Sequence, residues 1–428
     1  MGPAPTAVSV PRVTIEESAA GRAEDAVKFR VEREVLGEAV SWVARALPSR
    51  PVVPVLSGLH VRADADGLTL SCFDYEVSAK VVVPAEVGEP GEALVPGRLL
   101  AEITRSLPAA AAEVTSVADM VMLTCGSAEF SLVALPLAEY PSLPELPSVI
   151  GIVDGGALST AAAQVVPSSS RDDTLPMLTG VCMDISGSSV TFAATDRYRL
   201  AVRAIDWEPA DPDIAARALV PARTLSDIAK TMGPGVPVAI ALGSSGQDAG
   251  TGADGMISFE GGGRRLTARL IGGEFIRYES RFPADFGNTA ELPAGQFTEA
   301  VRRVSLVADR TSPVQLTFRP GTVVIEARSD GRARAIESVP VSFAGSEQSI
   351  SFNPHYLLDG LAAAALSGHD APAGDAPAAG PGWIRLEFTS PAKPALLTWA
   401  GGGDQPAPGD AASALRYLVV PLRVPAAG

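Results

Sequence analysis

Apolar and polar residues follow two different periods along the chain, and each period predicts one kind of secondary structure. In 33–47 the apolar residues recur every three or four positions, which predicts a helix with one buried stripe. Residues 27–32 instead alternate, which predicts a strand. Five further helices are predicted over 98–107, 158–166, 221–232, 296–308 and 354–365. Further strands are predicted over 58–63, 67–71, 76–84, 120–125, 129–134, 180–184, 189–194, 314–319, 322–327, 383–389, 396–399 and 417–424.

The order of these elements repeats along the chain. Pro96, Pro221 and Pro354 each stand at the start of a predicted helix, and they recur at intervals of about 130 residues, the size of a domain rather than of a solenoid repeat. The pattern predicts an α+β fold of three repeated domains, each with two helices and antiparallel sheets. The predicted limits are 27–148, 149–287 and 288–428, after a disordered extension over 1–26. Stretches 243–255, 367–382 and 401–413, which are rich in Gly, Ala, Pro and Asp, are predicted to be mobile loops.

Composition narrows the function classes. The 428 residues carry a net charge of -15, which argues against a protein that binds nucleic acid over its whole surface but permits a basic face. The three cysteines lack CxxC spacing and are predicted to be buried free thiols in a reducing cytosol. No histidine has a second ligand at metal-binding spacing, so neither a metal nor another cofactor is expected. Without a membrane-length apolar run or a secretion signal, the protein is expected to be cytoplasmic.

Residues 194–201, ATDRYRLA, form an unusual end to a predicted strand. They hold three charges and one aromatic ring but neither Gly nor Pro. A strand that leads into such a segment often presents side chains to a partner. The last predicted strand, 417–424, ends with a similar mixture of apolar residues and one arginine. We expect these two segments to meet and to form a peptide-binding cleft.

The segment 194–201 resembles the central motif of the bacterial DNA polymerase III beta subunit, the sliding clamp family. Segments 50–56, 73–76, 140–141 and 172–180 are similar to landmarks of that family in the same order. The resemblance covers about 27–424 and is greatest to actinobacterial clamps. It implies a non-catalytic processivity factor for DNA replication: a head-to-tail homodimer that closes into a ring of six domains around duplex DNA.

The resemblance also implies partners and an interface. The partners are double-stranded DNA without sequence preference, the DNA polymerase III alpha subunit, the clamp loader and other proteins with a clamp-binding motif. Matching by position places Phe130 of one protomer against Leu306 and Val307 of the other. An ordinary core role for these three residues stays open.

A clamp must hold DNA without stopping on it, and phosphate contacts suit this because they carry no sequence information. The predicted helices and the loops next to them supply cations. The candidates for DNA binding are Arg45, Arg50, Arg98, Arg105, Arg171, Arg223, Lys230, Arg302 and Arg303. Individually, any of these could instead be a solvated side chain at a helix end.

The family resemblance assigns the cleft to three parts of the chain. An extended partner peptide needs a concave apolar surface with a few polar groups, among them Thr195 and the arginines, which would orient it. The candidate residues are Leu178, Thr195, Arg197, Tyr198, Arg199, Leu200, Ile276, Ser280, Arg281, Leu418, Val420, Pro421, Leu422 and Arg423. For Leu178 and Leu200 a core role is a strong alternative, whereas Pro421 and its two successors are expected to be exposed.

Three cleft positions depart from the family. Clamps commonly have Pro where this chain has Ile276, and Met where it has Val420 or Leu422. Flexible Met suits a surface that accepts many partners, whereas branched side chains are stiffer. One hypothesis is therefore a divergent second copy, a resistance or decoy clamp that resists peptide inhibitors directed at the cleft. An unrelated α+β enzyme is a further alternative, but no catalytic constellation supports it, and Gly261–Gly263 is predicted to be a turn rather than a phosphate site.

Overall fold

The structure is a computed structural model that describes residues 27–243, 255–283, 285–309, 312–329, 331–367, 382–402 and 415–423. The predicted extension over 1–26 and most of the three predicted loops lie outside these ranges. The described chain divides into two compact units, one with residues 27–74 and 80–142 and the other with 75–79 and 143–423. The first unit contains most of the first predicted repeat, and the second contains residues 75–79 and 143–148 of that repeat together with the other two.

The helices confirm the predicted repeat. The described residues form six α-helices: α1 (Arg33–Val43), α2 (Gly97–Ser106), α3 (Gly155–Val165), α4 (Ala222–Ala229), α5 (Ala294–Ser305) and α6 (Pro354–Leu366). They pack in sequential pairs, α1 with α2, α3 with α4 and α5 with α6. Proline immediately precedes α2 and α4 and is the first residue of α6, where its fixed φ fits the start of a helix and its missing N–H is not needed.

Antiparallel strands fill the rest of each unit. Those that lie wholly or mostly in the first unit are β1 (Lys28–Val31), β2 (Gly58–Asp64), β3 (Gly67–Phe73), β4 (Val77–Val83), β5 (Glu86–Glu89), β6 (Gly91–Pro96), β7 (Ala112–Val117), β8 (Met120–Cys125) and β9 (Ala128–Val133). One sheet has the order β5-β1-β7-β8-β9, and the strands β4-β3-β2-β6 are neighbours in another. The edge strand β9 carries Phe130, which is half-buried.

The second unit contains eighteen described strands. They are β10 (Val149–Asp154), β11 (Gly180–Ser186), β12 (Ser189–Thr195), β13 (Arg199–Asp206), β14 (Glu208–Pro209), β15 (Ala215–Pro221), β16 (Pro237–Leu242), β17 (Met256–Gly261), β18 (Arg264–Arg269), β19 (Asn288–Pro293), β20 (Val314–Arg319), β21 (Thr322–Ser329), β22 (Ala333–Pro340), β23 (Ser342–Ala344), β24 (Gln348–Phe352), β25 (Trp383–Phe388), β26 (Ala395–Trp399) and β27 (Leu415–Val419). Strands β14-β10-β16-β17-β18 are successive neighbours, and β22-β21-β20-β24 form a separate sheet.

One sheet of the second unit joins the second and third repeats. Its order is β15-β11-β12-β13-β27-β26-β25-β19-β23, so β13 of the second repeat pairs with β27, the last strand of the chain. On the helical side, the Gln164 side-chain amide on α3 donates a hydrogen bond to the Ala363 carbonyl on α6 at 2.9 Å. This junction brings segments about 220 residues apart into one surface.

Some predicted limits were wrong for identifiable reasons. Helix α1 ends at Val43 rather than at Leu47, because the chain continues in turns that still bury Leu47. Strand β27 ends at Val419 rather than at 424. The Val420 amide still bonds to the Tyr198 carbonyl in register, but Pro421 has no N–H for the ladder and the Leu422 amide bonds to the Ser351 carbonyl instead. Other predictions hold. Gly262 and Gly263 form a turn with positive φ between β17 and β18, and all three cysteines are buried free thiols.

Among the described helices, none combines the length and the apolar character that a membrane span requires.

Candidate functional site

The two segments predicted to form the cleft lie side by side in the joined sheet. Strand β12 leads into a turn at 196–198, and β13 returns antiparallel to it with Thr195 opposite Leu200. On its other side β13 pairs with β27, so that Leu200 lies opposite Leu418. We use "the cleft" for the surface bounded by residues 195–200, 276–281 and 418–423.

Local hydrogen bonds fix the turn. The Thr195 hydroxyl donates to the Arg199 carbonyl at 2.6 Å, and the Asp196 carboxylate accepts the amides of Tyr198 and Arg199, each at 3.0 Å. Arg197 has φ of 80°, in the left-handed region that a residue with a Cβ rarely adopts. A strained residue held by several hydrogen bonds is typical of functional turns, and this one projects Arg197 and Tyr198 outward.

The floor of the cleft is apolar. Leu200, Leu418, Phe275 and Tyr278 belong to one buried cluster, against which Ile276 packs half-buried. Phe282 and Phe286 also pack on this cluster from the same segment of chain. The floor therefore combines all three predicted parts of the chain.

Burial separates the candidate residues into floor and rim. Leu178, at the end of a short 3-10 helix (Pro176–Leu178), is buried, and so is Leu200, in keeping with the alternative that they are core residues. The expectation that Pro421 is exposed is wrong: the Leu422 amide bonds to the Ser351 carbonyl at 2.7 Å and draws this segment onto the protein. The half-buried candidates are Arg199, Ile276, Val420 and Leu422, and the exposed ones are Arg197, Tyr198, Ser280, Arg281 and Arg423.

Helix α6 contributes residues that the sequence patterns did not indicate. The ring of Tyr356 stacks on that of Tyr198, with centroids 6.0 Å apart and planes at 19°. Asp359, one turn further along α6, accepts a hydrogen bond from Arg199 at 2.5 Å. The only local signal is the cap of α6, where the Asn353 side chain accepts the amide of His355 and sets the first turn.

Arg199 is the most enclosed cation of the cleft. Burial acts to lower its pKa, but Tyr417, Asp359 and Asp196 together raise it above the usual arginine value, so the guanidinium stays charged. Burial also raises the pKa of Tyr417 to about 12, so that its hydroxyl is protonated and can donate to the Tyr356 carbonyl at 2.8 Å. The charged Arg199 guanidinium and the protonated Tyr417 hydroxyl can therefore both donate the hydrogen bonds that their partners accept.

Three candidate cations for DNA binding line one cavity of the second unit. Arg171, Arg223 and Lys230 surround a space of about 1460 Å³, together with Arg197 and His355. The carboxylates that also line it are Asp172, Asp173, Asp196, Asp227 and Asp359. Hydrogen bonds from Thr174 lower the pKa of Asp172 and so favour its negatively charged form. The cavity therefore contains both cations and carboxylates.

The remaining candidate cations differ in exposure and in the ion pairs that the structure describes. In the first unit Arg45, Arg50, Arg98 and Arg105 are exposed, and Arg98 donates to the Pro48 carbonyl at 3.0 Å. In the second unit Arg302 and Arg303, on α5, form ion pairs with Glu299 and Glu337 respectively, the latter through two hydrogen bonds. The paired carboxylates make Arg302 and Arg303 weaker candidates for phosphate contacts.

The candidate interface residues include a strongly exposed apolar side chain. Leu306 follows α5 and is 81% exposed, and Val307 beside it is half-buried. Ile336, on the edge strand β22, is also exposed. Large apolar side chains at a sheet edge are typical of a surface that another chain covers.

Comparison with known proteins gives a consistent result along the chain. Three family models match: the N-terminal domain of the DNA polymerase III beta subunit at 27–144, its central domain at 153–276 and its C-terminal domain at 279–368. The chain is 46% identical over 398 residues to the beta sliding clamp of Streptomyces coelicolor, covering 93% of this chain and all of that protein. It is 40% identical over 397 residues to the beta sliding clamp homolog GriR of Streptomyces muensis, covering 93% of this chain and 99% of the relative.

A solved structure shows the same similarity in three dimensions. The crystal structure of a sliding clamp from Pseudomonas aeruginosa bound to griselimycin matches with a TM-score of 0.78 and 25% identity. The match covers 93% of this chain and 100% of that one.

Proposed function

Because the chain belongs to the DNA polymerase III beta subunit family, the beta sliding clamps, we propose that it acts as a processivity factor for DNA replication. Two copies would associate head to tail as a closed ring around duplex DNA, and the cleft would tether DNA polymerase and other partners. In this role the protein carries out no chemistry itself, because the ring supplies attachment and the polymerase supplies catalysis.

The observation that carries the tethering role is the pairing of β13 with β27. It produces an apolar floor with a rim of exposed polar groups, the arrangement that an extended peptide with a few apolar side chains requires. The rim includes Arg197, Arg281 and Arg423, whose charges face solvent. The partners expected for this surface are the DNA polymerase III alpha subunit, the clamp loader and other proteins with the same short motif.

The role in holding DNA is supported by the exposed cations of each unit. Arg171, Arg223 and Lys230 line one cavity in the second unit, while Arg45, Arg50, Arg98 and Arg105 are exposed in the first. Contacts of this type bind phosphates of any sequence and exchange readily with counterions. A net charge of -15 over the whole chain favours DNA inside a ring over DNA wrapped on its outside.

The proposed function can be tested by comparing how long the protein stays on circular and on linear DNA. The protein would be loaded onto nicked circular DNA with an actinobacterial clamp loader, and the complex separated from free protein by gel filtration in high salt. We expect the protein to remain on the circle and to leave after a restriction enzyme linearises the DNA, because only a closed ring is held by topology. Equal loss from circular and linear DNA, with a steep dependence on salt, would indicate ordinary electrostatic binding and contradict the proposal.

A second candidate function is a clamp copy with altered preference for cleft ligands. It is favoured by three half-buried branched residues at the cleft, Ile276, Val420 and Leu422, and by the similarity to a relative described as a clamp homolog. Val420 is β-branched and therefore stiffer at χ1 than the Met that clamps commonly have, which would make this part of the floor less adaptable. Such a copy would still bind polymerase peptides but would bind peptide inhibitors of the cleft weakly.

Replacing these three residues provides the test of the second function. We expect the triple variant Ile276→Pro, Val420→Met, Leu422→Met to bind griselimycin at least about tenfold more tightly than the unchanged protein, a difference of about 1.4 kcal/mol. Calorimetric titration measures both affinities, and competition with a polymerase peptide reports whether the ligand occupies the cleft. Equal affinity of the two proteins for griselimycin would eliminate altered preference and leave an ordinary clamp.

A further inference from the structure

The guanidinium of Arg199 lies within the wall of the cleft and is bonded on every nitrogen. Its Nε donates to Asp196 at 3.0 Å, one terminal nitrogen donates to Asp359 at 2.5 Å and to the Tyr417 hydroxyl at 3.4 Å, and the other donates to the Pro167 carbonyl. The side chain is only 9% exposed. A guanidinium with these partners has little capacity left to orient a peptide.

These partners belong to four separate segments of the second unit. Asp196 lies in the turn after β12, Asp359 on α6, Tyr417 on β27, and Pro167 in a short 3-10 helix (Val166–Ser168) after α3. Arg199 therefore ties the motif of the second repeat to the helix and the last strand of the third. Without this side chain, the turn after β12, the 3-10 helix, α6 and β27 would lose the one group that bonds to all four of them.

Arg199 also fixes the aromatic pair at the cleft. Its guanidinium carbon lies 4.6 Å from the centre of the Tyr356 ring, a favourable cation–π distance, and that ring stacks on Tyr198. A second connection runs through Tyr417, which accepts from Arg199 and donates to the Tyr356 carbonyl. The position of Tyr356 thus depends on Arg199 both through its ring and through its backbone.

The aromatic pair, unlike Arg199, is available to a ligand. Within the described residues, neither the Tyr198 nor the Tyr356 hydroxyl makes a hydrogen bond to the protein, and the Tyr198 side chain is half exposed. Tyrosine gives rigid apolar contact area together with one polar group, which suits recognition of a short peptide.

We propose that Arg199 is a positioning residue of the cleft: it holds the Tyr198–Tyr356 pair in the arrangement that receives the partner peptide, and it does not bind the peptide itself. The proposal rests on the peptide-tethering function above and deepens it. It replaces the sequence-based expectation that Arg199 orients the peptide directly. Lysine cannot take over this role, because a single ammonium group lacks the planar fork that reaches several partners at once.

A double-mutant cycle tests the proposal. The variants are Arg199→Lys, Asp359→Asn and the two combined, and the probe is a fluorescent peptide with the Gln and apolar side chains of a clamp-binding motif. We expect each single variant to weaken peptide binding about tenfold, or about 1.4 kcal/mol, and the double variant to be little weaker than either, because both changes break the same support. Arg385→Lys is the matched control, since Arg385 also forms a half-buried ion pair, with Glu291 at 2.7 Å, in the same sheet; we expect its peptide affinity to be unchanged.

The opposite role of Arg199 predicts different results. If Arg199 bound the peptide directly, Asp359→Asn would release the guanidinium and leave the affinity unchanged or higher, and the two effects would be additive. Either result would overturn the proposal.

A measurement without peptide separates this proposal from the proposed function. Fluorotyrosine incorporated into the six tyrosines gives a ¹⁹F resonance for Tyr356, which Tyr356→Phe identifies. We expect Arg199→Lys to shift or broaden this resonance in the free protein, whereas Arg385→Lys should not. An unchanged resonance would overturn the positioning role even if peptide binding is normal. Failure of the unchanged protein to bind any clamp-binding peptide would instead contradict the tethering function.

Discussion

Replacing Leu306 with aspartate is expected to convert the protein from a dimer into a monomer while leaving the stability of each protomer almost unchanged. Leu306 is 81% exposed, so within one protomer it makes little contact that the substitution could remove. In the proposed ring the same side chain would be covered by the partner's surface around Phe130. Burying an unpaired carboxylate there would cost about 3–5 kcal/mol. We therefore expect the dissociation constant of the dimer to rise at least about a hundredfold.

Light scattering over a range of concentrations measures the change directly. The unchanged chain should have twice the protomer mass, and Leu306→Asp should have the protomer mass at the same concentrations. Val52→Asp is the matched control, because Val52 is 94% exposed in the first unit and has no proposed role in the interface. Dimers of equal strength in all three proteins would remove Leu306 from the interface. A fall in thermal stability of the Leu306→Asp monomer beyond that caused by dissociation would show a structural role instead.

The repeat could be predicted from the sequence because local signals mark it. Proline stands at the start of α2, α4 and α6 for a steric reason that does not depend on the rest of the fold. Alternation is just as local: in β20 the buried residues are Val314, Leu316 and Phe318, with more exposed residues between them. Such features predict both the type of element and its recurrence in the next domain.

The limits of elements were harder to predict where tertiary contacts decide them. Leu47 continues the apolar period of α1 but is buried from a turn after the helix has ended. The C-terminal segment has the composition of an exposed end, yet Pro421 is buried because the backbone on either side bonds to Tyr198 and Ser351. Neither partner is close in sequence, so no local pattern contains this information.

The residues of the candidate site also differ in whether a local sequence signal indicated them. The segment 194–201 and the last strand carried a compositional signal, and the structure places them in adjacent strands. Tyr356 and Asp359 carried none beyond the cap of their helix, because they are ordinary helical residues until α6 packs against β27 and Arg199 of β13 bonds to Asp359. The enclosure of Arg199 could not be predicted for the same reason: its charge was visible in the sequence, whereas the four groups that bond to it were not.

Replacing Gly360 with alanine is expected to lower stability, although the same change in most helices raises it. A Cβ at this position of α6 would lie 2.5 Å from the Tyr417 ring and 2.8 Å from Leu397, closer than side-chain atoms can approach. Both neighbours are fully buried in strands that pack under the helix. Overpacking of this kind costs about 1–3 kcal/mol, which exceeds the roughly 1 kcal/mol that alanine gains over glycine in a helix interior.

The measurement is whether each glycine-to-alanine change raises or lowers the denaturation midpoint, and a second helical glycine supplies the control. Gly37 lies within α1, where an added Cβ would meet only the Thr104 carbonyl at 3.6 Å, an ordinary contact. Gly37→Ala should therefore raise the denaturation midpoint, while Gly360→Ala should lower it. Because Tyr417 also bonds to Tyr356 and Arg199, Gly360→Ala should weaken peptide binding as well, and Gly37→Ala should not. If both variants were stabilised, helix α6 would have room to move away from β27, and the close packing that supports the cleft would not be required for its shape.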